Sequence, residues 1–382
     1  MQIMSMNSKN EDEIYRKLQI YLDSLPIDYP ETKSGVEIRI LKPLFTPQEA
    51  EIALNLKIIP QEPKAMFRPF KKKGWTLEQF SEALLTMAKK GSINWIRRRD
   101  GTNYYSITFL LAGFYDYQID RLTKEFAEDF DQYMDEGFVS AMLENGILQM
   151  RTIPIEKSIN LECHVSNFDE IKNIIENVDK TLYLSPCICR QSKEVQGKGC
   201  NHPIDTCISI GVNPRIFLEQ GREITKEEAL EVLRMTQDKG MVICPSNAQN
   251  PFMICSCCGC ACVFLGNLKK YANPAQYVNS NYFIEIDKNL CSGCAECITS
   301  CHMDANKINN ESISEVDLGY CIGCGVCIPS CPNNARQLIK KLDESIPPEN
   351  LTELYQVIAK RKASLQEKRK IDSNYCRINK IS

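Results

Sequence analysis

Two runs of cysteines near the C-terminal end constrain the fold of this sequence more than any other feature. Each run has the form Cys-x-x-Cys-x-x-Cys-x-x-x-Cys, and the two span Cys291 to Cys301 and Cys321 to Cys331. Thiolates are soft ligands that favour iron–sulfur clusters, zinc or copper(I). Zinc knuckles would use separate Cys-x-x-Cys pairs, so two unbroken runs of four cysteines favour iron–sulfur clusters.

This spacing predicts two [4Fe–4S] clusters that exchange their fourth ligands. Three closely spaced thiolates bind one cubane, and the fourth cysteine of each run reaches the other cubane. The predicted ligands are Cys291, Cys294, Cys297 and Cys331 for the first cluster, and Cys321, Cys324, Cys327 and Cys301 for the second. Glycines at 293, 323 and 325 would let backbone amides approach the sulfurs and tune the reduction potential.

The two runs resemble the bacterial-type 2[4Fe–4S] dicluster ferredoxin family over residues 282 to 339. The resemblance implies a ferredoxin-like βαβ repeat, with a strand at Phe283 to Ile286 and hairpin strands near Ile308 to Val316. The sequence departs from the family where His302 follows Cys301, because the family usually has proline at that position.

The remainder of the chain must contain further folded units. With 382 residues it has room for roughly two to four of them. A total of 20 cysteines could indicate a secreted disulfide scaffold. The segment from Met1 to Asn7 lacks a signal-peptide pattern, so we do not expect secretion. No apolar run reaches the roughly 18 residues that a membrane helix needs. We therefore expect a soluble protein of the reducing cytoplasm.

The N-terminal part contains helices followed by a hairpin. Capping boxes at Thr46 and Thr76 predict two helix starts, and Leu77 belongs to the predicted buried face of the second helix. Asp100-Gly101 between two β-prone runs predicts a hairpin turn. This order of elements predicts a winged-helix-like domain.

A second concentration of cysteines lies between Cys187 and Cys262, where ten thiols are too many for an inert core. The predicted ligands of a third site are Cys187, Cys189, Cys200 and Cys207. Five further cysteines either complete that site or hold a fourth, namely Cys255, Cys257, Cys258, Cys260 and Cys262. With Cys-x-Cys-Arg at Cys187 and the winged-helix-like N-terminus, the chain resembles a group of large 4Fe–4S ferredoxin-type proteins of anaerobes.

Each of the three histidines follows a cysteine within two positions, and the sequence assigns none of them as a ligand. They are His164, His202 and His302. Histidine can ligate iron or zinc or relay protons.

Three functions remain open from the sequence. The first is electron transfer, with the N-terminal domain docking a redox partner protein, oxidoreductase subunits or a second copy of the chain. The second is a redox-sensing regulator whose Arg97-Arg98-Arg99 run contacts DNA, although Glu78 and Glu82 on the predicted recognition helix oppose this. The third is an oxidoreductase with a catalytic cluster in the middle domain, for which no residue pattern indicates a substrate.

We predict an α+β multidomain protein, more a component of an oxidoreductase system than a stand-alone enzyme. It relays single electrons through at least two [4Fe–4S] clusters, with one or two more in the middle domain. The predicted domains are winged-helix-like (1–113), an acidic helical connector (114–150), cysteine-rich and metal-binding (151–280), ferredoxin (281–342), and a C-terminal helix and tail (343–382).

Overall fold

The computed structural model describes the backbone of residues 2–159, 165–211 and 218–378, and the side chains of residues 12–159, 165–211 and 218–371. The helices in these ranges are α1 (Gln2–Asp23), α2 (Val36–Leu44), α3 (Pro47–Ala53), α4 (Pro63–Met66), α5 (Arg68–Lys71), α6 (Leu77–Lys89), α7 (Lys124–Tyr133), α8 (Val139–Asn145), α9 (Ile171–Glu176), α10 (Ile188–Val195), α11 (Lys226–Asp238), α12 (Val263–Leu268), α13 (Glu296–Thr299) and α14 (Leu351–Ile378). The strands are β1 (Asn94–Arg97), β2 (Asn103–Ser106), β3 (Leu182–Pro186), β4 (Asp205–Ile210), β5 (Arg222–Ile224), β6 (Val242–Pro245), β7 (Met253–Cys257), β8 (Tyr282–Ile286), β9 (Asn306–Ile308), β10 (Ser314–Val316) and β11 (Arg336–Lys340).

The N-terminal elements follow the local sequence signals closely. Both predicted capping boxes are confirmed, at Thr46 for α3 and at Thr76 for α6. The predicted hairpin is also confirmed, with β1 and β2 paired in antiparallel register around the Asp100-Gly101 turn. The prediction that Leu77 is buried is wrong, since this side chain is 38% exposed and the buried face of α6 begins at Phe80, one turn later.

The acidic connector is broken into short pieces and packed against its neighbours. A 3₁₀ helix at Asp116–Arg121 precedes α7, and a π-helical turn at Met134–Phe138 joins α7 to α8. Five carboxylates of this stretch form ion pairs within the chain: Glu128 with Lys124, Asp129 with Arg39, Asp131 with Lys193, Asp135 with Lys270, and Glu144 with Arg369. Much of the negative charge of the connector is therefore compensated intramolecularly.

The middle unit, which we define as residues 165–211 and 218–268, is built on a five-stranded antiparallel sheet. The strand order is β5-β3-β4-β7-β6. Helix α11, which is capped by the Thr225 side chain, packs against this sheet. Because β4 pairs with β7, which is distant in sequence, the sheet brings together cysteines that are far apart in the chain.

The ferredoxin unit, residues 282–340, contains two antiparallel strand pairs. β8 pairs with β11, and β9 pairs with β10. The predicted strand and the predicted hairpin are confirmed. Tyr282, Ile284 and Leu338 form a small core of their own with buried cysteines.

Two segments join these units. The segment after the connector runs from the middle unit to the ferredoxin unit, because Ile153 bridges to Ile243 of β6 and the Ile155 amide donates to the Cys324 carbonyl oxygen at 3.1 Å. Helix α14 returns to the N-terminal elements, where Lys362 donates to the Leu25 carbonyl oxygen at 2.9 Å. No helix in the described part of the chain is long and apolar enough to span a membrane.

Candidate metal centres

Two cavities in the ferredoxin unit are each lined by four cysteines, three from one run and the fourth from the other. One is lined by Cys291, Cys294, Cys297 and Cys331, and the other by Cys301, Cys321, Cys324 and Cys327. Each has a volume of about 20 Å³. The structure thus gathers the predicted ligands into the two crossed sets that the spacing indicates.

The loops of the two runs are matched in backbone conformation. Gly293 and Gly323 have φ values of 71° and 64°, and Ala295 and Gly325 at the following equivalent positions have 65° and 75°. A Cβ atom at Gly323 would lie 2.2 Å from the Tyr282 carbonyl oxygen, so this position requires glycine for space as well as for conformation.

Backbone amides donate hydrogen bonds to three of the thiol sulfurs. The Ala305 amide donates to Cys301 Sγ at 3.4 Å, and the Ala335 amide donates to Cys331 Sγ at 3.3 Å. The Ser314 amide donates to Cys291 Sγ at 3.3 Å. Such bonds stabilise the thiolate form and therefore suit these sulfurs to a metal.

Asp304 and Asn334 directly precede the two donor alanines, and sequence reasoning did not single them out. Both have a left-handed backbone, with φ values of 56° and 52°. Aspartate and asparagine tolerate this conformation better than other non-glycine residues. The signal available in the sequence was that each stands three residues after the last cysteine of its run.

Arg336 lies between the two ferredoxin cavities and is 5% exposed. Its Nη1 donates to Cys327 Sγ at 3.4 Å, and its Nη2 donates to Ser314 Oγ at 2.5 Å. Ser314 Oγ is in turn 3.3 Å from Cys297 Sγ. One buried guanidinium therefore contacts a thiol of the second set directly and a thiol of the first set through a hydroxyl.

Burial is the main influence on the thiol pKa values in the second ferredoxin cavity. It raises the pKa of Cys321, and it raises the pKa of Cys327 to about 12 although Arg336 works in the opposite direction. Four thiolates in such a cavity need compensating positive charge. Soft thiolates with amide donors nearby are a ligand set that fits an iron–sulfur cluster.

A third cavity, which we call the seven-cysteine chamber, lies against the middle sheet. Its volume is about 100 Å³, five times that of either ferredoxin cavity. Its cysteines are Cys187, Cys189, Cys207, Cys244, Cys255, Cys257 and Cys262. It has both more thiols and more room than either ferredoxin cavity.

The register of the sheet explains how these cysteines meet. Cys244 on β6 lies opposite Cys255 on β7. Ile208 pairs with Ile254, which places Cys207 opposite Cys255 on the other side. The three thiols therefore form one row across three strands, and Cys257 follows on the same face because side chains alternate along a strand.

Two more chamber thiols stand at the starts of helices. Cys187 is the N-cap of α10 and directly follows β3, and Cys262 is the N-cap of α12. Cys189 lies between them, in hydrogen-bonding reach of both thiols. The start of α10 carries partial positive charge, but contact with the Cys189 thiol and burial raise the pKa of Cys187 well above its ordinary value.

The wall opposite the sheet is mainly apolar and comes from the end of the N-terminal domain and from the connector. An irregular turn at Leu110–Phe114 and the π-helical turn at Met134–Phe138 form it, together with Met142. Inside this apolar volume, contact with Cys244 and burial raise the pKa of Cys257 to about 12, although Cys255 and Cys262 partly oppose the change. Several thiolates can coexist here only with compensating cations.

Arg190 is a buried cation beside the chamber, and it is 2% exposed. Its Nη1 donates to the Ser256 carbonyl oxygen at 3.0 Å, while its Nε has no hydrogen-bond partner. Burial opposes its charge, but the Cys187 and Cys258 thiols raise the pKa of the guanidinium above its usual value. An uncompensated buried cation with an orphaned donor fits a site that carries negative charge.

Cys200 lies apart from the other three predicted ligands of the third site. Its Sγ is 4.0 Å from Cys258 Sγ, and Cys260 Sγ is 3.7 Å from His202 Nδ1. The structure therefore divides the ten middle cysteines into seven around the chamber and three beside His202. We call Cys200, His202, Cys258 and Cys260 the cysteine–histidine group.

Three further residues with metal-binding side chains lie outside the part of the chain whose side chains are described. They are Cys163, His164 and Cys376.

Residues 283–332 match the model of the family described as the 4Fe-4S dicluster domain. The match lies within the ferredoxin unit and does not extend into the middle unit. No curated protein and no solved structure matches the chain. The match and the cysteine clusters together support iron–sulfur electron transfer.

Proposed function

We propose that this chain relays single electrons to or from a partner oxidoreductase through two [4Fe–4S] clusters in the ferredoxin unit and a third iron–sulfur cluster in the seven-cysteine chamber. The observation that carries the proposal is the pair of cavities lined by crossed sets of four thiols, next to a third cavity lined by seven. When bound, [4Fe–4S] clusters supply one-electron redox chemistry.

In this proposal the two crossed sets hold the clusters of the ferredoxin unit. The amides of Ala305, Ala335 and Ser314 and the guanidinium of Arg336 then set the reduction potentials, since they direct positive charge at the sulfurs. We propose the same role for Arg190, which lines the chamber and whose buried Nε has no hydrogen-bond partner.

A short segment supports a continuous path between the chamber and the second ferredoxin cavity. Thr152 Oγ1 is 3.8 Å from the chamber thiol of Cys244, and the Ile155 amide bonds to the Cys324 carbonyl oxygen. Three residues span at most about 11 Å. The two sites are therefore neighbours along one stretch of backbone.

The experiment that tests the proposal is an EPR-monitored reductive titration of the anaerobically purified chain. Dithionite should produce the paired, spin-coupled signals of neighbouring reduced [4Fe–4S] clusters. The absence of any [4Fe–4S] signal in iron-replete protein would refute it.

Replacing Arg336 by methionine should lower the midpoint potentials of the ferredoxin clusters. Loss of a buried positive charge disfavours the more negative reduced state, by on the order of tens of millivolts. The measurement is a potentiometric titration followed by EPR. Arg336→Lys keeps the charge and should shift the potentials less. Lys340→Met removes a partly exposed cation of the same strand and serves as the comparison for the buried one. Unchanged potentials in Arg336→Met would contradict the assigned role.

We further propose that the winged-helix-like N-terminal domain docks an acidic partner protein. Arg97, Arg98 and Arg99 are exposed at the end of the β1–β2 hairpin, where they form a basic surface. Charge complementarity of this kind orients protein encounters. Because five carboxylates of the connector are paired within the chain, the complementary surface is proposed to come from another protein.

The rival reading of this surface as a DNA-binding site predicts a different result. Glu78 and Glu82 are exposed on α6, where they would face the phosphates. We expect no binding of the full chain to mixed-sequence duplex DNA below about 1 μM at physiological salt, measured by fluorescence anisotropy. Sub-micromolar binding that is lost in Arg97→Ala/Arg98→Ala/Arg99→Ala would favour the redox-sensing regulator.

A further inference from the structure

We infer that the cysteine–histidine group is a mononuclear Zn²⁺ site, with Cys200, His202, Cys258 and Cys260 as its four ligands. This inference goes beyond the proposed relay and does not depend on it, because zinc takes no part in electron transfer.

The spacing of the ligand atoms matches one ion. All four ligand atoms lie within 4.8 Å of one another, and two of the separations are 4.0 Å (Cys200 Sγ to Cys258 Sγ) and 3.7 Å (Cys260 Sγ to His202 Nδ1). Two thiolates bound tetrahedrally to one zinc at about 2.3 Å lie about 3.8 Å apart. The group is therefore close to tetrahedral zinc dimensions.

The ferredoxin cavities provide an internal comparison. In a cubane each thiolate binds a different iron atom, so the four sulfurs stand farther apart than the ligands of one ion. Among the residues whose side chains are described, no other group of three or more cysteine, histidine or acidic side chains is as closely spaced as this one. The two crossed cysteine sets, which fit cubanes, are thus more widely spaced than the cysteine–histidine group, as expected for clusters.

Two short loops supply the ligands. Cys200-Asn-His202 lies between α10 and β4, and Cys258-Gly-Cys260 follows β7. Three thiolates and one imidazole form one of the common ligand sets of structural zinc. Cys258 is 1% exposed whereas Cys260 is exposed, so one side of the site faces solvent.

The group also contacts the ferredoxin unit through His302. The rings of His202 and His302 meet edge to face with centroids 5.7 Å apart, and His302 Nε2 is 2.7 Å from the Gly240 carbonyl oxygen. A Cβ atom at Gly259 would lie 2.4 Å from the His302 carbonyl oxygen, so the loop between Cys258 and Cys260 is pressed against this turn. Zinc binding would therefore fix the contact between the middle and ferredoxin units at His302, the position where the ferredoxin family usually has proline.

The test uses the full chain, purified anaerobically and analysed for zinc and iron. We expect about one zinc per chain, and zinc EXAFS of the unmodified protein should show about three sulfur ligands near 2.3 Å and one nitrogen near 2.0–2.1 Å. His202→Ala and Cys260→Ala should each lose most of the zinc and keep the iron. Cys262→Ala, two residues further on in the chamber, is the matched control and should keep the zinc.

Three results would overturn the inference. One is iron-replete protein without zinc, in which Cys260→Ala loses about four irons, because the group would then hold a cubane. Another is zinc that remains bound in both His202→Ala and Cys260→Ala. The third is an EXAFS spectrum without three sulfur ligands, a result that does not depend on whether any variant folds.

Discussion

Replacing Cys187 and Cys189 together by alanine is expected to remove about four iron and four sulfide ions per chain and to leave the EPR spectrum of the ferredoxin pair unchanged. Both thiols line the seven-cysteine chamber, and neither lines a ferredoxin cavity. Cys189 lies within hydrogen-bonding reach of Cys262 as well as Cys187, so the double variant removes one side of the chamber. The measurement is iron and acid-labile sulfide per chain, followed by EPR of the reduced protein.

Cys294→Ala is the complementary control for this experiment. Its thiol lines one ferredoxin cavity and does not line the chamber. This variant should therefore alter the spin-coupled spectrum and leave the chamber cluster in place. An iron content that is unchanged in Cys187→Ala/Cys189→Ala would mean that these thiols have a purely structural role.

Replacing Arg151 by methionine is expected to cost about 3–5 kcal/mol of folding free energy, because it leaves a buried carboxylate without its partner. Arg151 and Asp169 are each 2% exposed and form an ion pair. Asn281, directly before the ferredoxin unit, donates to the other carboxylate oxygen at 2.9 Å. The pair therefore lies where the middle and ferredoxin units meet, and its loss should weaken both.

The check is the midpoint of thermal unfolding of the metal-loaded protein. Arg222→Met is a suitable control, since Arg222 pairs with Glu228 at an exposed position and should change the midpoint little. Arg151→Met/Asp169→Leu removes both charges and should recover part of the loss. Equal midpoints for Arg151→Met and Arg222→Met would show that the buried pair contributes no more than an exposed one.

Local signals in the sequence predicted much of the structure. The capping boxes at Thr46 and Thr76 and the Asp100-Gly101 turn depend on residues a few positions apart, and all are present in the structure. In these cases the physical cause lies within the segment itself. The crossed grouping of the ferredoxin cysteines was predicted differently, from the pattern of two four-cysteine runs, because each cavity takes its fourth cysteine from the other run.

The grouping of cysteines in the middle unit could not be predicted from local signals, because Cys207 and Cys255 meet through long-range strand pairing. Cys207 and Cys255 are brought opposite each other only by the register of β4 on β7, which no local pattern contains. Cys200 shows that closeness in sequence does not predict closeness in space either. It is near Cys207 in sequence, yet it lies beside Cys258, which is 58 residues away.

The most direct test of the central claim is the number of electrons that the full chain accepts in the EPR-monitored reductive titration, combined with its iron content. Three clusters predict about three electrons and about twelve irons per chain if the chamber holds a cubane, with spin coupling between two of the centres. A chain that is fully loaded with metal but accepts no electrons, or that holds its iron only as isolated ions, would contradict the claim that it is an iron–sulfur electron relay.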